Sequence, residues 1–114
     1  MTLQLKSVCV DALDTDRQAR FWTDVLGWPR TAEEDGEVAL TSPGGAIRLL
    51  FLPVPEPKGV KNRLHLDLRA DDPATEVARV VALGARRVDV GQAAEDPWVV
   101  LADPEGNEFC ILLE

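Results

Sequence analysis

The chain has 114 residues, of which 46% are hydrophobic and 28% charged, and it carries a formal net charge of −8. This length suits one domain with a real core, and the composition is that of an ordinary folded protein. The negative charge argues against nucleic acid or an anionic membrane surface as a partner, and no stretch approaches the roughly 20 apolar residues of a membrane span.

Strand and helix signals follow one another in a regular order through the first half. Leu3–Val10 alternates as a strand, and Asp14 is a good cap for a helix that runs to Leu26 and ends at Gly27. Three more strands are predicted, at Trp28–Glu33, Glu37–Ser42 and Ala46–Leu52. The proline-rich stretch Pro53–Gly59 cannot join a sheet ladder, so it predicts a semi-rigid connector.

The same order returns after the connector. Arg63–Arg69 alternates strictly, which predicts a strand with Leu64, Leu66 and Leu68 on a buried face and His65, Asp67 and Arg69 on the opposite face. Asp71–Pro73 then begins a helix that ends at Gly84. The remaining strands are predicted at Arg86–Val90, Trp98–Ala102 and Asn107–Leu113.

These two halves indicate an internal duplication. The helices Asp14–Gly27 and Asp71–Gly84 have equal lengths, and the turns Ser42–Gly45 and Asp103–Gly106 occupy corresponding places. We therefore predict an α+β fold in one domain, residues 1–114, made of βαβββ repeats at residues 1–53 and 62–114. One helix covers only one face of a sheet, so the uncovered faces should form a concave cup for a small molecule. Open sheet edges favour a homodimer.

The motif Phe21–Trp28, with Leu26-Gly27 inside it, and the turn Asp103–Asn107 resemble the glyoxalase/bleomycin-resistance/extradiol dioxygenase superfamily, which has the vicinal oxygen chelate fold. Pro55–Lys58, Asn62–Leu68 and Glu108–Cys110 more specifically resemble its glyoxalase-like domain branch. The resemblance covers essentially the whole chain. It implies the βαβββ repeat and a small-molecule cup, but no single reaction, since this scaffold serves isomerases, lyases, dioxygenases, epimerases and drug-binding proteins.

The resemblance also implies where a metal would bind. The superfamily's metal enzymes take ligands from the first and last strand of each half, and these positions fall here on Ser7, Leu49, His65 and Cys110. His65 matches, and Cys110 could replace the usual glutamate. Two donors fall short of the three protein ligands of a typical catalytic site, so we expect no catalytic metal and no other cofactor.

His65 is the single histidine of the sequence and the leading candidate for an acid/base, with Asp67 to orient it; a structural role for His65 is the alternative. Cys110 could be a nucleophile or an inert buried thiol. The expected lining of the cup consists of Ser7, Leu49, Phe51, Trp98, Glu108 and Cys110. Because Cys9 and Cys110 make no disulfide framework, we expect free thiols in a reducing cytoplasm.

Three functions stay open at this point. The first is a metal-independent enzyme of the lyase or isomerase type that uses His65 and Asp67. The second is a drug-binding protein of the bleomycin-resistance kind, in which an acidic dimer captures a cationic compound. The third is a metal-dependent lyase or dioxygenase with Cys110 as a ligand. The negative charge favours the second function, and a histidine in the cup favours the first.

Overall fold

The computed structural model describes residues 3–113, which form two helices and two four-stranded sheets. Contacts divide the chain into two compact units, Met1–Pro57 and Lys58–Glu114. Each unit has the chain order βαβββ, and each contains one sheet and one helix. The predicted α+β class with two repeats is therefore confirmed.

The first unit contains β1 (Ser7–Ala12), α1 (Thr15–Leu26), β2 (Arg30–Glu34), β3 (Glu37–Thr41) and β4 (Arg48–Pro53). Its sheet has the order β1-β4-β3-β2, in which β1 is parallel to β4 and the other pairs are antiparallel. The first strand begins at Ser7 rather than at Leu3, which is almost fully exposed. Helix α1 is the crossover that a parallel pair requires.

The second unit contains β5 (Leu66–Leu68), α2 (Pro73–Leu83), β6 (Arg86–Arg87), β7 (Trp98–Ala102) and β8 (Glu108–Leu112). Its sheet repeats the arrangement of the first, with the order β5-β8-β7-β6 and a parallel pair between β5 and β8. The predicted last two strands are found almost at their predicted bounds. The strand predicted at Arg86–Val90 is reduced to two residues.

Both helices begin and end where the sequence predicts. Asp14 accepts a hydrogen bond from the backbone N–H of Arg17, and Asp72 caps α2 in the same way. Gly27 ends α1 at a φ of +75°, in the left-handed region that favours glycine. The helices have 12 and 11 residues, and within residues 3–113 no helix is long and apolar enough to cross a membrane.

The core of the first unit lies between α1 and one face of its sheet. Leu40 faces Leu49 and Val38 faces Phe51 across β3 and β4, and all four side chains are at most 5% exposed. Helix α1 contacts β1, β3 and β4 and buries Ala19, Phe21 and Trp22. The rings of the two aromatic residues meet edge to face, with centroids 5.2 Å apart.

Leu49 and Phe51 are therefore core residues of the first unit, whereas the sequence analysis expects them in the lining of a cup. The turns at Ser42 and Asp103 occupy corresponding places in the repeat but differ in length. The backbone hydrogen bond from Ser42 N closes on Ile47 O, whereas the one from Asp103 N closes on Asn107 O, so the first turn is one residue longer. Successive side chains of a strand point to opposite faces, so one extra residue turns both side chains toward the helix.

The prediction that Leu64 belongs to the core is wrong. Leu64 is 85% exposed and lies outside β5, which covers only Leu66–Leu68. Leu66 and Leu68 are half-buried and keep the predicted alternation with the exposed Asp67. The segment before the strand contacts β8 at Glu108, through the side chain of Lys58 and through the backbone and side chain of Asn62.

Candidate functional site

One face of the second sheet carries most of the predicted site residues. Asp67 of β5 is in register with Cys110 of β8, and Val100 of β7 pairs with Cys110 from the other side. These side chains share a face with Trp98 and Glu108, which we call the polar face. The alternating residues Leu66, Leu101, Phe109 and Ile111 point to the opposite face, and α2 contacts β8. The polar face is thus the one that points away from α2.

His65, Asp67 and Cys110 come together on the polar face, and we call them the His–Asp–Cys cluster. Nε2 of His65 lies 3.2 Å from Oδ1 of Asp67, and one donor atom from each of the three residues lies within 4.8 Å of the others. The side chains of His65 and Asp67 are 47% and 53% exposed, whereas Cys110 is buried. The cluster therefore places an imidazole–carboxylate pair in contact with solvent beside a shielded thiol.

The electrostatics of the cluster keep Cys110 in its thiol form. Burial raises the pKa of Cys110, and the negative charge of Asp67 and a hydrogen bond to that carboxylate raise it further, while Lys61 acts weakly in the other direction. A cysteine nucleophile needs the opposite environment, one that lowers the pKa and favours the thiolate. The arrangement favours a hydrogen-bonding role for Cys110 over a nucleophilic one.

Glu108 serves as an anchor for the segment that leads to His65. Its Oε2 lies 3.0 Å from Nζ of Lys58, and its Oε1 accepts a hydrogen bond of 3.3 Å from the backbone N–H of Asn62. The amide of Asn62 in turn donates to the backbone carbonyl of Glu108 at 3.1 Å. We call this set the Lys58–Glu108 anchor. Both of its carboxylate oxygens are engaged within the protein.

The anchor is largely removed from water. The side chains of Glu108 and Lys58 are 10% and 22% exposed. Burial by itself disfavours the ionised carboxylate, but the Lys58 ammonium and the backbone N–H groups of Glu108 and Asn62 outweigh it and hold the pKa of Glu108 below its ordinary value. Glu108 is therefore ionised and paired at neutral pH.

The other predicted lining residues are in different situations. Trp98 is 37% exposed and pairs with Leu112 on the polar face, so its ring is accessible to a bound molecule. Ser7 belongs to the first unit, where it is in register with Arg48 and accepts a hydrogen bond of 3.1 Å from Nε of Arg48. Arg48 was not among the predicted site residues. The sequence feature that could have identified Arg48 is a single charge at the start of an otherwise apolar strand.

The cluster also changes the count of metal donors. His65 and Cys110 were the two donors expected from the sequence, and the structure adds Asp67 as a third. An imidazole nitrogen, a carboxylate oxygen and a sulfur are all ligands that zinc accepts. In the first unit the paired Ser7 and Arg48 offer a neutral hydroxyl and a guanidinium, neither of which suits a cation. Among residues 3–113, the group of donors that fits such an ion is therefore the His–Asp–Cys cluster of the second unit.

A family model described as "Glyoxalase-like domain" matches residues 7–112, which is nearly the whole chain. No curated protein matches the sequence.

Solved structures match the chain over almost its full length. A glyoxalase/bleomycin resistance protein/dioxygenase family enzyme from Burkholderia phytofirmans PsJN superposes with a TM-score of 0.76 at 21% identity, covering 96% of this chain and 97% of that one. The antibiotic binding protein TnmS3 from Streptomyces sp. CB03234 gives 0.69 at 19%, with coverages of 98% and 97%. The fosfomycin resistance protein FosX from Listeria monocytogenes gives 0.78 at 11%, with coverages of 100% and 93%. At these identities the likeness concerns the fold.

Proposed function

This chain belongs to the glyoxalase-like domain family, and on that premise we propose that it binds a small organic molecule on the polar face of its second sheet. One observation carries the proposal. The half-exposed His65 and Asp67 lie 3.2 Å apart beside the buried Cys110, on the face of the sheet that points away from α2. Polar groups that converge in this way are typical of small-molecule sites.

The chemistry of the polar face suits a ligand with both polar and flat apolar parts. His65 and Asp67 supply a hydrogen-bond donor and an acceptor that water can reach. Trp98 supplies an accessible aromatic ring on the same face, and Val100 lies between it and the cluster. A bound molecule would therefore meet a small polar group at one end and an apolar surface at the other.

The catalytic form of this proposal is a lyase-type or isomerase-type enzyme in which the metal-free chain transfers a proton. A neutral imidazole that donates from Nε2 to Asp67 keeps the lone pair on Nδ1, so Nδ1 is the nitrogen that can act as the base. Asp67 fixes that tautomer and stabilises the imidazolium once the proton has arrived. Since His65 is the single histidine, no second histidine can replace it.

A drug-binding protein without catalysis is the second candidate, and the net charge of −8 favours it. Such a charge attracts cationic compounds over long range. The fold is shared with an antibiotic binding protein, although that likeness alone assigns no ligand. The two candidates differ in the fate of the ligand, because a binding protein returns it chemically unchanged and an enzyme does not.

We expect His65→Ala to weaken ligand binding while leaving the free energy of unfolding within about 0.5 kcal/mol of the wild-type value, because the side chain is 47% exposed. Small aromatic fragments are screened on the wild type in chelator-containing buffer by NMR of the imidazole protons of the single histidine, and the affinities of the hits for both proteins are then measured by calorimetry. Fragments that shift these signals should lose about tenfold or more in affinity for the variant, since one good hydrogen bond is lost.

Arg87→Ala is a suitable control, because Arg87 is also exposed but is in register with Leu101, on the opposite face. It should change neither stability nor fragment affinity appreciably. Fragments that bind equally well to wild type and His65→Ala would place the binding surface elsewhere. A large loss of stability with unchanged affinity would make His65 a structural residue.

A further inference from the structure

A row of polar side chains crosses the first sheet on the face that points away from α1. Ser7 of β1 and Thr41 of β3 are both direct partners of Arg48 on β4, so the three side chains share one face. The hydroxyl oxygen of Thr31 on β2 lies 2.5 Å from that of Thr41. Leu49, the next residue of β4, is buried on the opposite face, which α1 covers. We call Ser7, Thr31, Thr41 and Arg48 the Arg48 row.

Arg48 is a cation whose charge the protein does not balance. Among residues 3–113 its guanidinium forms no ion pair, whereas the guanidinium of Arg30 pairs with Asp16. Of the N–H groups of Arg48, the one on Nε donates to Oγ of Ser7 at 3.1 Å. The residue is half-buried, so part of its water is already removed. A partly desolvated charge that lacks an acidic partner favours an occupant of opposite charge.

We propose that the Arg48 row binds the carboxylate group of a small organic molecule. The terminal nitrogens of a guanidinium carry parallel N–H groups that match the two oxygens of a carboxylate. The oxygen of Ser7 accepts from Arg48, so its hydroxyl hydrogen is left to donate. The hydroxyls of Thr31 and Thr41 need one hydrogen for their mutual bond, so a second hydroxyl hydrogen is left as well. The row thus presents donors to a single oxyanion.

The inference does not rest on the proposed function. The residues of the Arg48 row belong to the first unit, and those of the polar face belong to the second.

The surrounding charges select a carboxylate among oxyanions. Asp11 and Glu37 share a face with Ser7 and Thr41 but lie four residues farther along their strands, about 13 Å away. That distance exceeds the screening length of about 8 Å at physiological salt, so neither acid neutralises Arg48. The net charge of −8 repels a phosphate, with its higher charge, more strongly than a singly charged carboxylate.

The neighbouring row supplies an apolar surface for the rest of the ligand. Cys9 and Leu50 are partners in register, two residues along from Ser7 and Arg48 and on the same face. Cys9 is exposed and Leu50 is half-buried. Benzoate combines a carboxylate with a flat apolar body, and benzamide has nearly the same shape without the charge. These two compounds are therefore suitable probes.

The test titrates the full chain with benzoate and follows the arginine Nε–H signals and the backbone N–H signals of Ser7 and Thr41 by NMR. We expect the Nε–H signal of Arg48 to shift to saturation. Benzamide should bind about tenfold or more weakly, because it lacks the charge-assisted hydrogen bonds. Inorganic phosphate should also bind more weakly than benzoate. Arg48→Lys keeps the positive charge but loses the parallel N–H groups, so it should lose about tenfold in benzoate affinity.

Arg87→Lys is the matched control, because Arg87 is an exposed arginine of the second unit. It should leave benzoate affinity unchanged. Ser7→Ala covers the case in which Arg48→Lys fails to fold, and it should weaken benzoate binding about threefold or more through the loss of one hydrogen bond. The inference is overturned if benzoate gives no saturable shift, if benzamide or phosphate binds as tightly as benzoate, or if folded Arg48→Lys binds benzoate as wild type does.

Discussion

Phe51→Ala is expected to lower the free energy of unfolding by about 3 to 5 kcal/mol. Phe51 is 0% exposed in the central strand β4, and its face of the sheet is covered by α1. Removing the ring takes away buried apolar area and leaves a cavity that the surrounding side chains can fill only in part. A small domain has a total stability of about 5 to 15 kcal/mol, so the loss should be plain in urea unfolding.

Substitutions at Phe51 also test whether this residue belongs to the core or lines the binding surface. Phe51→Leu should retain enough volume to fold and should bind the same fragments with unchanged affinity. Trp98→Ala provides the comparison, because the ring of Trp98 is 37% exposed on the polar face. Trp98→Ala should lose less free energy of unfolding than Phe51→Ala does. It should also lose more affinity for the fragments than Phe51→Leu does. A Phe51→Leu variant that is stable but no longer binds fragments would restore Phe51 to the binding surface.

Lys58→Met is expected to lower the free energy of unfolding by about 2 to 3 kcal/mol, less than the about 3 to 5 kcal/mol of a fully buried pair because the Lys58 side chain is 22% exposed. The substitution keeps most of the apolar stem but leaves the carboxylate of Glu108, 10% exposed, without its ammonium partner at 3.0 Å. Breaking a buried ion pair by removing one member is costly because the other charge stays buried and unpaired. Lys61→Met is the control, since Lys61 is exposed in the same segment and should change stability by less than about 0.5 kcal/mol.

The loss of stability in Lys58→Met should depend on pH in a defined direction. The folded pKa of Glu108 lies below its ordinary value of 4.5, so its contribution to stability is complete above that value and is lost as the pH falls through the folded pKa. Without Lys58, burial would push the pKa of Glu108 upward instead. The difference in free energy of unfolding between wild type and Lys58→Met should therefore become smaller at acidic pH. An equal difference at pH 7 and at pH 3 would mean that the lysine acts through its stem and not its charge.

Local signals were sufficient for the helices and for the repeat. Each helix is bounded by an aspartate cap and a terminal glycine, and both interactions lie within a few residues of sequence. The strands β7 and β8 are likewise joined by a short turn made of residue types that are typical of turns. Features of this kind depend on a few neighbouring residues, so a sequence pattern describes them well.

The sequence predictions differ from the structure where a feature depends on residues far apart in the chain or on which face of a strand a residue occupies. Asn62 and Glu108 are 46 residues apart, and no local pattern reveals that they pair or that Leu64, two residues after Asn62, is exposed. One added residue in a turn reverses the face of every side chain after it, so the face on which Leu49 and Phe51 lie does not follow from the order of the repeat alone. Asp67 was considered as a partner of His65, but its register with Cys110 on a neighbouring strand could not be read from spacing alone.

The short parallel strand β5 also bears on the order in which the second unit assembles. Strands β7 and β8 are neighbours in sequence and can pair early, whereas β5 joins β8 only after the chain has closed the longer loop that contains α2, β6 and β7. With three residues at the sheet edge, β5 has few ladder bonds to hold it there. We therefore expect the side chains of His65 and Asp67 to reach their final positions late in folding. A bound molecule that bridges them to Cys110 would stabilise this short edge strand against local opening.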